Sequence, residues 1–199
     1  MAAISKVRIA NMALSNIGAK STIETFVEDS AEAQEIDLWY DYSRLQTLMA
    51  ADWSFARRRL TLTTHTEDPP GTWGFRYVYP ADCISFRHIQ HPSGQQADAI
   101  PFEIEIDATL QKKSILTDLD DAIGVYTFDL ETVDLFSPMF VDMLSFALAS
   151  HIAFALTGSL ELRKEMGGTF SEMRRVAPAD NANEQVGRSP REASWIRDR

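Results

Sequence analysis

The sequence predicts an α+β protein: an α-helical bundle with an inserted antiparallel β-domain and an extended C-terminal arm. Three observations carry this. Apolar residues recur at three- and four-residue spacing up to about residue 59 and again from about 131. Between them the pattern shortens to period two, in brief runs divided by turn residues. From Pro178 onward the periodicity fades. The predicted layout is therefore 1–59 plus 131–177 as a discontinuous bundle, 60–130 as the insert and 178–199 as the arm.

The first helix is read over residues 3–17. Ile4, Val7, Ala10, Leu14 and Ile17 share a face, and Gly18 stops it. After a connection over 19–28, Asp29 and Glu32 have the spacing of an acidic capping box, with Glu35 close behind. The helix they open is expected to reach about Phe55. It carries two apolar stripes. Ile36, Tyr40 and Ala50 form one, and Leu38, Tyr42, Leu45 and Met49 the other, with Trp39 between. Coverage this wide asks for two partners. Arg57, Arg58 and Arg59 follow. They are expected to complement the negative end of that helix and to pair with neighbouring carboxylates.

In the insert, LTLTT at 60–64 alternates, and Pro69-Pro70-Gly71 is a loop. Phe75 to Tyr79 reads as a strand ended by Pro80, and residues 83–90 as another. Phe102, Ile104 and Ile106 alternate with Glu103, Glu105 and Asp107, which predicts a half-buried strand. Lys113 to Thr117 and Ile123 to Asp129 complete the set, joined by an acidic turn.

Ser137 to Thr157 is the longest apolar run. Ser137 is a good N-cap, Pro138 suits the first helical position, and Gly158 can close the helix in a left-handed cap. Its length would suffice for a membrane span, but Asp142, His151 and three serines make a span costly. The reading is a covered helix, packed in its own subunit on one face and against a neighbour on another. Met143 and Phe146 are the expected inter-subunit contacts. Ser159 can cap a last helix with Leu162, Met166, Phe170, Met173 and Val176 on one stripe. Gly167 and Gly168 weaken it by about 1 kcal/mol each relative to alanine. In the arm, Trp195 and Ile196 are large apolar side chains in a polar segment, flanked by Arg191, Arg197 and Arg199. Such residues predict docking on a larger partner or an adjacent subunit, with Trp195 as anchor.

A single cysteine, Cys83, excludes an internal disulfide and a multi-cysteine zinc site. The N-terminal MAAISKVRIANMAL has no secretory-leader pattern, and a cytoplasmic folding compartment is expected. The net charge is −10, and residues 60–134 alone balance at −9. This argues against tight binding to nucleic-acid phosphates. His88 and His91 would point to opposite faces of a strand. Asp118, Asp120 and Asp121 lack the glycine and terminal glutamate of a calcium loop. His151 on an apolar helix reads as a hydrogen-bonded interior histidine. No catalytic, cofactor or metal residue is assigned.

Several strings resemble the phage tail tubular protein A family, the head-to-tail adaptors of short-tailed phages. They are Asn11-Met12-Ala13-Leu14 with Ile17-Gly18, Asp29 with Glu32-Ala33, and Trp53-Ser54-Phe55-Ala56 with Arg58. Tyr77, Tyr79-Pro80 and Asp82 follow in the insert. Phe136, Pro138 and Phe140 then precede Leu148-Ala149 and Ile152-Ala153, and Ala193-Ser194-Trp195 with Arg197 lies in the arm. The pattern covers nearly the whole length in order, except that the family's usual Ala-Arg ending is Arg-Asp-Arg here. The resemblance implies a helical bundle with an inserted β-domain. It also implies a structural virion protein of the tail or neck, assembled in the host cytoplasm as a dodecameric ring. Such a ring sits beneath the portal protein and receives the tail nozzle protein, and genome DNA passes through its lumen without sequence-specific binding. Arg57, Arg58, Met143, Phe146, Arg191, Trp195, Ile196 and Arg197 are the expected portal or inter-subunit contacts. The alternatives are a tail-associated hydrolytic enzyme, which would need paired carboxylates in a cleft, and a nucleic-acid-binding protein, which would need a basic face.

Overall fold

The computed structural model describes residues 4–93, 99–106 and 112–183. The chain is mixed α and β. Its helices are α1 (Lys6–Asn16), α2 (Ala31–Ala50), α3 (Pro138–Thr157) and α4 (Leu160–Asn183). Its strands are β1 (Arg57–Thr61), β2 (Phe75–Val78), β3 (Cys83–Gln90), β4 (Glu103–Ile106), β5 (Lys113–Thr117) and β6 (Ile123–Phe128). It divides into two compact units. One joins Met1–Arg57 to Thr127–Asn181, and the other is built on Arg58–Tyr126.

In the helical unit, α1 and α2 both pack on α3. Ser5 caps α1 by accepting from the Arg8 N–H, and Gly18 leaves it with φ +72°. Asn11 then pins the connection that follows. Its side chain donates to the Ile23 carbonyl and accepts from the Ile23 N–H, each at 2.9 Å. The cap of α2 is Ser30, whose hydroxyl accepts from the Ala33 N–H. The acidic box expected at Asp29 is displaced by one residue, because Asp29 accepts instead from the Gln34 amide. Glu28 also serves this turn. The Glu24 N–H and the Ser30 hydroxyl hold its carboxyl below the usual range.

The second helix ends at Ala50, not near Phe55. Trp53 is buried, and its indole N–H donates to the Thr47 carbonyl at 2.9 Å, taking up one of the acceptors a helix end leaves open. A 3-10 turn, Ser54–Ala56, follows. Arg57, Arg58 and Arg59 therefore lie in β1 and not at a helix end, which removes their expected dipole role. The ion pairs expected of Arg57 and Arg58 are present. Arg57 meets Asp52 through two nitrogens at 2.7 and 3.0 Å, and Arg58 meets Asp82. The Arg57 side chain is only 14% exposed, so it has little surface to offer a partner.

Helix α3 starts and stops where the sequence places it. Ser137 accepts from the Phe140 N–H, and Gly158 takes φ +70°. By length and composition it could cross a membrane, yet it is mostly buried within its own unit. Phe140 sits at the centre of an aromatic cluster with Trp53, Phe55 and Phe136, at centroid distances of 4.5–5.3 Å. The Trp53-Ser54-Phe55 and Phe136-Ser137-Pro138 strings thus meet in one place. Met143 is fully buried, so it is a core residue and not an inter-subunit contact. Phe146 is half-buried.

Arg44 is an unforeseen core residue. It is 3% exposed, reaches Asp129 and Asp41, and donates to the Leu130 carbonyl at 2.8 Å. Burial is the largest single influence and works against its charge, but the hydrogen bonds and charges of Asp129 and Asp41 together outweigh it, so its pKa is raised. The pair clamps the segment after β6 to α2. Asp129→Ala is expected to cost about 2–3 kcal/mol, at the low end for a buried pair because Asp129 keeps 37% exposure. Arg44→Met should cost less, about 1 kcal/mol, because the stranded carboxylate can hydrate. Urea denaturation of both variants checks the order.

The β unit holds two three-stranded sheets, ordered β1-β6-β3 and β2-β5-β4. In the second, β5 pairs antiparallel with both neighbours, with Tyr77 opposite Ile115 and Ile104 opposite Ile115. Leu62, Tyr77, Ile89, Ile115 and Ala122 form the core, with Phe75, Phe86 and Phe102 packed on it. At Gly124 the space is tight, since a Cβ there would lie 2.7 Å from a Leu62 methyl and 2.9 Å from the Phe86 ring, so those side chains would have to shift. The expectation for β4 needs correcting. Ile104 and Ile106 are 40% and 67% exposed, because β4 is at the border of its sheet and only β5 flanks it among the named strands.

The predicted arm also begins too early. Helix α4, capped by Ser159 at the Leu162 N–H, continues through Pro178 to Asn183. Proline there forfeits one intrahelical bond, but the alanines around it are the best helix formers. Residues 184–199, with Arg191, Trp195, Ile196 and Arg197, lie outside the described residues.

Candidate interaction face

The outward side of α2 carries the second apolar stripe. Leu38, Tyr42, Leu45 and Met49 are spaced four, three and four apart and so share one face. Leu38 is 66% exposed, Tyr42 54% and Met49 53%, while Leu45 is half-buried. The first stripe is the one that packs inward, with Ile36 and Tyr40 buried. Helix α2 thus has one apolar stripe in the core and a second in solvent.

At the middle of this face an aromatic stack joins α2 to α3. The Trp39 indole lies parallel to the His151 imidazole at 4.6 Å between centroids, and Tyr42 meets the same ring edge-on at 5.4 Å. His151 Nε2 lies 3.4 Å from Gln46 Oε1. The sequence predicted a hydrogen-bonded interior histidine; His151 has the Gln46 contact but is half-buried, and the sequence gave no sign of its stacking partner. One turn further along α3, Phe154 is 46% exposed.

Burial, and secondarily the charge of Arg163, holds the His151 pKa below its ordinary 6.5. The unfolded chain therefore binds more protons than the folded one between the two pKa values. The contribution to stability is complete above pH 6.5 and is lost as the pH falls through 6.5 towards the folded value. His151→Gln is expected to flatten this part of the profile. Denaturation midpoints of both proteins at pH 7.5 and 5.5 provide the check.

Beside the stack, a groove of about 440 Å³ is lined by Tyr42, Leu45, Gln46, Met49, Ala50 and, from α4, Arg174. Its walls are apolar apart from the Tyr42 hydroxyl, the Gln46 amide and the Arg174 guanidinium.

The remaining candidates are dispersed. Arg57 and Arg58 are engaged by Asp52 and Asp82, and Tyr126 donates to the second of these carboxylates at 3.0 Å. Cys83 is half-buried, donates to the Tyr79 hydroxyl, and has its thiol pKa raised by burial, so it is not an activated nucleophile. In the acidic turn, Asp118 accepts from the Gly74 N–H and Asp120 from the Asp121 N–H. Glu103 accepts from the Trp73 indole N–H. Among the described residues no group of three metal-ligating side chains comes together. No protein-family model matches the chain, and no curated protein matches it either.

Proposed function

We propose that this chain is a structural virion protein, a head-to-tail adaptor that forms a ring joining the portal protein to the tail nozzle protein and lining part of the DNA channel. The observation that carries this reading is the exposed Leu38–Tyr42–Leu45–Met49 stripe. It is apolar surface on a helix whose other face already packs in the subunit. In this reading the fold is an α-helical bundle, with a β-domain inserted between Arg57 and Thr127 and a C-terminal arm after Asn183. The resemblance of the Asn11, Trp53, Phe136 and Trp195 strings to the tail tubular protein A family supports the same assignment. Two of those strings converge on Phe140 and so share a packing role.

The acidic insert fits a conduit. A wall of like charge to DNA makes few contacts that must break as the genome moves. The experiment is native mass measurement of the purified chain, alone and mixed with the portal complex of the same virus. The adaptor reading expects a closed multimer, of the order of twelve copies, on the portal. A chain that stays monomeric and unbound with the portal present contradicts it.

A further inference from the structure

The groove on α2 carries one formal charge, that of Arg174, among walls that are otherwise apolar or neutral. Nearby acids are engaged elsewhere. Asp41 of α2 pairs with Arg44, and Glu172 of α4 pairs with Arg175. The groove therefore suits an occupant that is apolar at its tip and acidic around it. The connection before α2 has that character. Val27 is 91% exposed, more than any other large apolar side chain among the described residues. It stands in residues 24–32, ETFVEDSAE, which hold four acids and no base. The turn is held in shape. The Glu28 carboxylate accepts from the Glu24 N–H at 2.9 Å, the Thr25 N–H at 3.4 Å and the Ser30 hydroxyl at 2.8 Å. The adjoining Phe26 ring meets Tyr40 edge-on at 5.2 Å. A side chain presented on a fixed turn loses little freedom on docking.

We infer that the groove of one copy receives the 24–28 turn of a second copy, with Val27 against Leu45 and Met49 and the turn's carboxylates around Arg174. The turn cannot reach the groove of its own chain. From Ala31 to Met49, α2 rises about 27 Å. The turn is tied to the start of that helix through Ser30, and the two Asn11–Ile23 hydrogen bonds tie the preceding residues to α1. The charges select the same pairing. Turn against turn sets acid against acid, whereas turn against groove sets acid against Arg174. Turn and groove are different surfaces of one chain, so their contact is head-to-tail, and a head-to-tail contact whose rotation closes gives a ring. The inference deepens the adaptor reading and rests on it for the ring, but the groove contact itself needs only two copies.

The test uses full-length chains in a Cys83→Ser background. One carries Val27→Cys and the other Met49→Cys, and each thus has a single thiol. The two are mixed, concentrated to about 0.5 mM to populate a weak contact or assembled on the portal, oxidised mildly, and resolved without reductant. The inference expects a disulfide-linked heterodimer well in excess of either homodimer. Arg174→Glu in the Met49→Cys chain should lower its yield at least fivefold, and Glu24→Lys with Asp29→Lys in the Val27→Cys chain should restore it. A heterodimer absent under both conditions, no more abundant than the homodimers, or indifferent to Arg174→Glu overturns the inference, as does a loss that the lysines leave in place. So does protection of the Met49→Cys thiol on the portal without the cross-link, because another protein then fills the groove. Portal binding of the same single-cysteine chains is measured by mass in parallel. Binding without the cross-link leaves the adaptor reading standing and removes the groove contact, and the cross-link without binding does the reverse.

Discussion

Met143→Asp is expected to leave no folded subunit. The side chain is fully buried on α3, which packs against both α1 and α2. A carboxylate there would either ionise without a partner or remain protonated in an apolar site, and the methionine's packing is lost in both cases. The combined cost exceeds about 4 kcal/mol, a large share of what a single domain has. Circular dichroism and a thermal scan give the readout. A cooperative melt near that of the parent chain would contradict the packing described for α3.

Leu38→Asp is expected to have the opposite signature. Leu38 is two-thirds exposed, so the subunit should lose no more than about 0.5 kcal/mol, or roughly 2 °C of melting temperature. Assembly should fail. The substitution places a charge inside an apolar contact and adds it to the existing acids Asp37 and Asp41. In a ring the same fault occurs at every interface. Native mass of the variant with portal complexes should show free monomer. A normal ring would remove the stripe from the interface.

The two variants mark how far α2 and α3 can be read from sequence. Both helices are apolar on more than one side, and the pattern alone cannot say which of those residues face solvent. On α2 the division into two stripes is legible, and the structure turns the Leu38 stripe outward. On α3 nearly every position is apolar, so Met143 could not be told from an interface residue. Its burial depends on α1 and α2, which are distant in sequence.

Local chemistry was the most legible. The Ser137, Pro138 and Gly158 signals fix α3 because caps and left-handed turns are satisfied within a few residues. Where two neighbouring residues could serve, pattern alone failed, as with Asp29 and Ser30. Pro178 was read as a stop although proline can remain inside a helix at the loss of one bond. The alternation of β4 is real, but period two does not reveal that a strand lies at a sheet border. Arg44 and the Trp39–His151 stack were out of reach for a further reason. Each depends on a partner many turns away in sequence, Asp129 for one and α3 for the other.

The central claim is that the outward face of α2 becomes covered when the protein assembles. Its most direct test is the maleimide-labelling rate of a cysteine at Leu38, in a Cys83→Ser background, for the free chain and for the chain on portal complexes. Leu38 is far enough exposed that the free chain should label at nearly the rate of an unstructured thiol. On the portal the rate should fall at least tenfold. Equal rates in the two states, with the chain shown to be bound, would place the interface elsewhere and contradict the account.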